Sequence, residues 1–242
     1  MKKILCLFGA LTFALTSCSS DDDSSGSVLL KKEIKTDSEG DKVTTNHEYN
    51  GNKIVKSTVN GSTDGTYFTY TGNLITKMEF KYDNQLEHID TYTYDSSNRL
   101  ITYVSIAPLE EEGFKEVYTY NADGSISVQV FTGDEVTQTI SNGTRKITFV
   151  GGEITTIVST ETRSYSYTYD DKNNPFVNVL GYKEISFVDG TATGISHNIL
   201  TEKDIDYDAV ITKYVYTYNS AGYPTKSVND IDDEISTTEY FY

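Results

Sequence analysis

Tyr92-Thr93-Tyr94-Asp95-Ser96-Ser97-Asn98-Arg99-Leu100 decides how this chain is read. Successive side chains of a strand point to opposite faces, so Tyr92 and Tyr94 share one face and Thr93 takes the other. The Asp that follows accepts a hydrogen bond from the backbone two residues on, and Asn98 tolerates the left-handed conformation that closes a turn. The nonapeptide is a strand running into a hairpin turn. The pattern recurs as Tyr118-Thr119-Tyr120-Asn121, Tyr167-Thr168-Tyr169-Asp170 and Tyr216-Thr217-Tyr218-Asn219, with Gly124, Asn173 and Gly222 at the position of Asn98.

A second, two-residue class of turn is expected at Asn50-Gly51, Gly72-Asn73, Gly151-Gly152 and Asp189-Gly190, each between alternating apolar and polar positions. These turns define looser copies of the hairpin at 47–59, 68–80, 147–158 and 185–196. Apolar positions recur with period two, and Thr, Val, Ile and Tyr dominate, so no helix is expected. The three prolines, Pro108, Pro175 and Pro224, fall outside the alternating runs and spare the ladders. The expected fold is all-β: an antiparallel β-meander of repeated hairpins forming an elongated, twisted, largely single-layer sheet.

Tyr94-Asp95-Ser96-Ser97-Asn98-Arg99-Leu100 resembles a YD repeat of the kind found in Rhs and teneurin-type proteins, with looser copies over most of 45–242. The whole chain resembles uncharacterised Bacteroidota lipoproteins built from such hairpins. This resemblance implies a fold and carries no active-site residue with it.

Upstream of the hairpins, Lys2 and Lys3 precede an apolar run from Ile4 to Leu15, too short for a permanent membrane helix and suited to a secretory signal. Leu15-Thr16-Ser17-Cys18 resembles a lipobox, which makes Cys18 the expected lipidation site. Acyl chains at about 0.8 kcal/mol per buried methylene would hold the mature chain on its membrane. Ser19, Ser20, Asp21, Asp22 and Asp23 begin a Ser/Gly/Asp stretch that cannot bury apolar area and reads as a tether. Its acidic run resembles the signal that sends Bacteroidota lipoproteins to the cell surface. The expected division is a signal peptide over 1–17, lipidated Cys and tether over 18–27, and a hairpin domain over 28–242. The expected location is the outer membrane, with the cell surface favoured over the periplasmic face.

The formal net charge is −16, and loss of Lys2 and Lys3 with a signal makes it more negative still. Nucleic acid is not an expected partner, since phosphates require clustered Lys and Arg. Cys6 would leave with the signal and Cys18 would carry lipid, so no disulfide is expected to hold the fold. Twenty Tyr supply much of the large apolar surface, each with a polar tip that suits a half-exposed sheet.

No nucleophile elbow, zinc-binding helix, phosphate loop or dinucleotide fingerprint occurs, so neither an enzyme nor a cofactor is expected. His47, His88 and His197 sit in separate hairpin units without metal-ligand spacing and read as sheet-surface residues. Asp204, Asp206 and Asp208 alternate along a strand, where three carboxylates on one face could hold Ca²⁺ or simply be solvated. The pairs Tyr92 and Tyr94, Tyr118 and Tyr120, and Tyr216 and Tyr218 would form cross-strand ladders. Such ladders either stack a glycan or protein partner or only stabilise the sheet. The expectation is a non-catalytic surface binding or structural lipoprotein. The alternative is a hydrolase or polysaccharide-processing accessory enzyme, which needs carboxylates gathered in a cleft.

Overall fold

The computed structural model describes residues 27–231 and 234–242. The signal segment, Cys18 and the run Ser19 to Asp23 lie outside the described residues. The first half of the chain forms β1 (Lys32–Thr36), β2 (Lys42–Asn50), β3 (Lys53–Val59), β4 (Gly65–Thr71), β5 (Leu74–Tyr82), β6 (Gln85–Tyr94), β7 (Leu100–Ala107) and β8 (Glu112–Tyr120). The second half forms β9 (Ile126–Gly133), β10 (Gln138–Val150), β11 (Glu153–Ser159), β12 (Tyr165–Tyr169), β13 (Ile199–Asp204), β14 (Ala209–Tyr218), β15 (Pro224–Ile231) and β16 (Glu234–Phe241).

Each strand pairs antiparallel with its neighbours in sequence, and β1 also pairs with β16, Lys32 opposite Phe241 and Thr36 opposite Thr237. The sheet is a closed barrel. All-β is right, but the elongated, largely single-layer sheet is not what forms. The bulges supply a physical reason. Register shifts fall at the same place in successive hairpins, between Glu48 and Tyr49, Thr69 and Tyr70, Thr93 and Tyr94, Thr148 and Phe149, and Thr217 and Tyr218. A bulge bends its strand and increases twist, so its repetition in these five hairpins curls the sheet until its edges meet. Closure then satisfies both edge strands.

The inner face is apolar. Leu30, Ile54, Ile75, Leu100, Ile126 and Ile154 are almost fully buried near the ends of the strands joined by the tight turns. The outer face is mixed: one row runs Lys77, Thr91, Val104, Lys115 and Phe131 across five strands, and Val43, Val55, Val158 and Val215 are exposed.

Sixteen strands enclose more space than wall side chains fill, which is why barrels of that size hold water or a plug. Here the chain supplies the plug. Between β12 and β13 it leaves the wall, makes two short 3-10 turns at Lys183–Ile185 and Val188–Gly190, and returns. Ile185 and Phe187 of this stretch join the central cluster with Tyr118, Ile147 and Ile157. The hairpin expected over 185–196, with its turn at Asp189-Gly190, is therefore replaced by an internal segment.

The third Tyr-x-Tyr unit shows how the segment is inserted. In the other units the backbone N–H of Asp95, Asn121 and Asn219 donates to the carbonyl four residues on, at Arg99, Ser125 and Tyr223 (2.9 Å each). In the third, Asp170 N–H makes the corresponding bond to Asn198, at 3.1 Å. The turn has been opened and residues 171–197 set into it. Asn98, Gly124 and Gly222 have the positive φ expected of them, at 63°, 83° and 79°, while Asn173 does not.

Candidate functional site: the plugged lumen

Carboxylates and carboxamides fasten the inner segment. Glu153, on β11 and 5% exposed, accepts from three consecutive backbone N–H groups: Ile195 (2.9 Å), Ser196 (2.7 Å) and His197 (3.0 Å). The His197 ring Nδ1 lies 3.2 Å from the same carboxylate. Asp170 accepts from the backbone N–H groups of Lys172 and Asn198 and from the Tyr218 hydroxyl, closing the base of the insertion. Asn178 Nδ2 donates to the Val28 carbonyl at 2.9 Å and to the Tyr223 hydroxyl at 2.8 Å, while Asn52 Nδ2 donates to the Asn178 carbonyl at 3.0 Å. These bonds attach the plug to Val28, which precedes β1, and to the β2–β3 and β14–β15 turns.

At the centre, Glu116 of β8 is 1% exposed and paired with Arg145 of β10. It also accepts from the Tyr118 hydroxyl and from the Asp189 N–H, the latter at 3.0 Å. Burial pushes the Glu116 carboxyl up, opposed by the Arg145 guanidinium. Asp189 holds a left-handed conformation, φ 55°, and its own carboxyl is raised by burial against the same arginine. Asp90 faces this group across the lumen with a carboxyl also raised by burial, and accepts from the Tyr103 hydroxyl at 3.2 Å. Of these acids only Glu116 is fully buried, where it is occupied by holding the plug, while Asp90 is half-buried and Asp189 exposed.

The tyrosine rows lie on the inner face. Tyr92 and Tyr118 are buried, and Tyr92 stacks on Tyr103 at 5.4 Å between ring centroids. Tyr94 and Tyr120 point their hydroxyls back to the first carbonyls of the neighbouring strands, Ile75 (2.7 Å) and Leu100 (3.1 Å). Tyr49 and Tyr169 make the same clamp to Leu30 (2.6 Å) and Ile154 (2.7 Å). Five of the six tyrosines read as a ligand surface are thus buried or bonded inward; Tyr218 is spent on Asp170. Tyr216, stacked on Tyr214 at 6.1 Å, lines open space.

Among the described residues, several spaces border the plug and the lumen. One, of about 590 Å³, is a mouth at the end opposite the tight turns, lined by His88, Ser105, Phe114, Thr132, Asp134 and Ile140 among others. Another, of about 230 Å³, lies between the plug and the wall formed by β13, β14, β16 and β1. Its lining includes Glu33, Phe176, Tyr214, Tyr216 and Tyr240.

The residues of the Ca²⁺ reading, Asp204, Asp206 and Asp208, each have partners of their own. Asp204 is buried and accepts from the backbone N–H groups of Asp206 (2.9 Å) and Tyr207 (3.2 Å). Asp206 accepts from Ser164 N–H at 2.9 Å, and Asp208 pairs with Lys203. The three side chains diverge to organise a turn, and among the described residues no group of three acidic, His or Cys side chains could hold a metal.

His47 also departs from its surface reading. It is 7% exposed, bonded through Nδ1 to Ser57 Oγ at 2.8 Å and set edge-to-face with Phe176. Burial lowers its pKa to about 4, so the ring is neutral at physiological pH. Glu33, Glu116, Arg145 and Glu153 were invisible as site residues, because alternation places them in strands without saying what enters the barrel. The legible signal was the long interval from Asp170 to Ile199, where alternation fails around Pro175; structureless loops of that length are uncommon unless functional.

No family model and no curated protein matches this chain. Several solved structures share its fold, two of them porin-like proteins. One is a porin-like protein from Bacteroides vulgatus, with TM-score 0.59, 12% identity, and coverage of 89% of this chain and 99% of the other. The second is a porin-like protein from Bacteroides uniformis, with TM-score 0.50, 12% identity, and coverage of 89% and 98%. At that identity the likeness shows that this chain has the fold of a porin-like β-barrel.

Proposed function

We propose that this chain is a lipid-anchored, non-catalytic binding or structural module of the outer membrane, attached through Cys18 while its barrel stands in water. The observation that carries the reading is the sidedness of the wall. Transmembrane barrels turn an apolar band outward and keep a polar lumen. Here the polarity is reversed. Lys56, Lys77, Lys115, Lys213 and Lys226 occupy outward positions within their strands, and Lys56 pairs with Glu48 at 2.9 Å across the outer ladder. Each such lysine would cost about 2–4 kcal/mol at a bilayer midplane. Most of the closely packed aliphatic and aromatic side chains lie inside, against the plug, while single residues such as Val55, Val158 and Val215 stay exposed.

A porin-like fold is thereby reused as a filled barrel, and the membrane contact falls to the lipid. The described chain begins beside the tight turns, where Val28 and Leu30 accept from Asn178 and Tyr49. A tether leaving that end presents the opposite mouth away from the membrane. The acidic run Asp21 to Asp23 supports export to the cell surface, where a glycan or protein partner would meet the mouth.

Labelled palmitate should enter the wild-type chain and not Cys18→Ser. A chain begun at Ser27 should partition into water rather than detergent. Labelling of Cys18→Ser, or detergent partition of the shortened chain, would overturn the proposal. Intact cells should lose the protein to added protease unless Asp21, Asp22 and Asp23 are replaced by Ala.

A further inference from the structure

We infer that the cavity beside the plug binds a small organic ammonium ion, with the Glu33 carboxylate as counter-ion and Phe176, Tyr214, Tyr216 and Tyr240 as aromatic walls. The inference deepens the binding-module reading and rests on it. Three observations carry it.

The first is an uncommitted charge. Glu33 on β1 stands opposite Tyr240 on the inner face, and no hydrogen bond reaches its carboxylate among the described residues. The other lumen acids contrast with it: Glu116, Glu153 and Asp170 each accept several. Lys35 attracts Glu33 from two residues along the strand, but it is exposed and not within ion-pair distance. Burial raises the Glu33 carboxyl, and its charge in turn helps raise the phenols of Tyr182 and Tyr240, behind the larger effect of their own burial. The group therefore sits among aromatic hydroxyls with no cation of its own.

The second is the wall. Tyr214 and Tyr216 stack along β14 at 6.1 Å, and Phe176, from the plug, is backed by Tyr182 at 4.7 Å. Stacking holds these rings in place. Aromatic faces around a carboxylate attract quaternary and primary ammonium groups through the ring quadrupole, and rigid rings lose little entropy on binding.

The third is size and exclusion. A space of about 230 Å³ corresponds to roughly eight waters at bulk volume, enough for a compact organic cation with some water. A bare Ca²⁺ needs six or more oxygen ligands and would find one carboxylate here. An anion would meet Glu33 and a net charge of −16. A neutral sugar could stack on the rings but would leave the buried charge uncompensated.

Calorimetric titration of the purified full chain with choline chloride, at ionic strength matched with KCl, tests the inference. Saturable binding at one site is expected, with none for the neutral isostere 3,3-dimethyl-1-butanol or for glucose. Glu33→Gln should weaken choline binding at least tenfold, and Tyr216→Leu about 3- to 30-fold, the range of cation–π contacts. Near-ultraviolet circular dichroism confirms that each variant keeps its packing, and Glu33→Asp, which retains the charge, should bind within tenfold of wild type. Absence of saturable choline binding, equal binding of the alcohol, glucose binding in its place, or an unaffected Glu33→Gln would each overturn the inference. Palmitate labelling and detergent partition report on the anchored module separately, so its failure is distinguishable from failure of the ligand assignment.

Discussion

Replacing Arg145 by Met isolates what joins plug to wall. Glu116 is 1% exposed and the Arg145 side chain 8%, so removing the guanidinium strands a carboxylate in the core with only the Tyr118 hydroxyl and the Asp189 N–H as donors. Breaking one partner of a buried pair costs about 3–5 kcal/mol. The carboxylate can escape part of this by taking up a proton, at about 1.36 kcal/mol per unit of pKa displacement. The loss in Arg145→Met should therefore be smaller at pH 5 than at pH 8. Glu116→Gln with Arg145→Met removes both charges while a carboxamide oxygen still accepts from Asp189, and should recover to within about 2 kcal/mol of wild type. Urea denaturation of the four proteins in a double-mutant cycle gives the coupling. A cost below 1 kcal/mol for Arg145→Met, or a double variant as unstable as the sum of the singles, would refute the placement of this pair in a dry core.

Phe187→Ala removes a ring that is 6% exposed and packed edge-on against Tyr118 and Phe149, and should cost about 3–5 kcal/mol in urea unfolding, since the lumen cannot collapse around the gap. Gly124→Ala and Gly181→Ala both place an alanine at positive φ, 83° and 78°, but a Cβ at Gly124 meets nothing while one at Gly181 falls 2.7 Å from the Ile75 backbone nitrogen. Strain alone should cost about 1 kcal/mol at Gly124 and clearly more at Gly181, and equal losses would mean the plug does not press on that hairpin. Glu33, Asp90, Glu116, Asp189 and Glu202 are all raised by burial, so their contribution is full below about pH 4 and lost as pH rises through the raised values. Backbone donors hold Asp95 and Asp134 low, and their contribution is lost only as pH falls below the ordinary carboxylate range. Burial of neutral His47 acts the other way, its contribution being full above about pH 6.5 and lost as pH falls toward about 4. The melting temperature should therefore peak between these windows, at about pH 6.5, and decline toward pH 8; a continued rise from pH 7 to pH 8 would contradict this.

Local chemistry was legible without coordinates. Tyr92-Thr93-Tyr94-Asp95 announces a strand and its turn because period-two alternation and an Asx turn are properties of a few consecutive residues, and Asn98, Gly124 and Gly222 adopt the conformation that reading requires. That the chain is all-β followed from the same local rules. Alternation cannot state which face is inside. An open sheet and a barrel give Tyr92 and Tyr118 the same neighbours in sequence, so only closure turned their row inward.

Closure itself rests on β1 meeting β16, a pairing between segments at opposite ends of the chain that no short pattern encodes. A bulge at the same place in five of the hairpins is small alone and decisive when repeated. Once sixteen strands close, the lumen must be filled, and that requirement gives 171–197 its place, with Glu153 and Asp170 as its fastenings. Strands, turns and a strong negative charge could be read in advance, since the first two depend on neighbours a few residues apart and the last on composition. The tertiary structure decided which tyrosines are core, which carboxylates are spent, and that Glu33 faces an aromatic cavity, since each depends on contacts that form only after the ends meet.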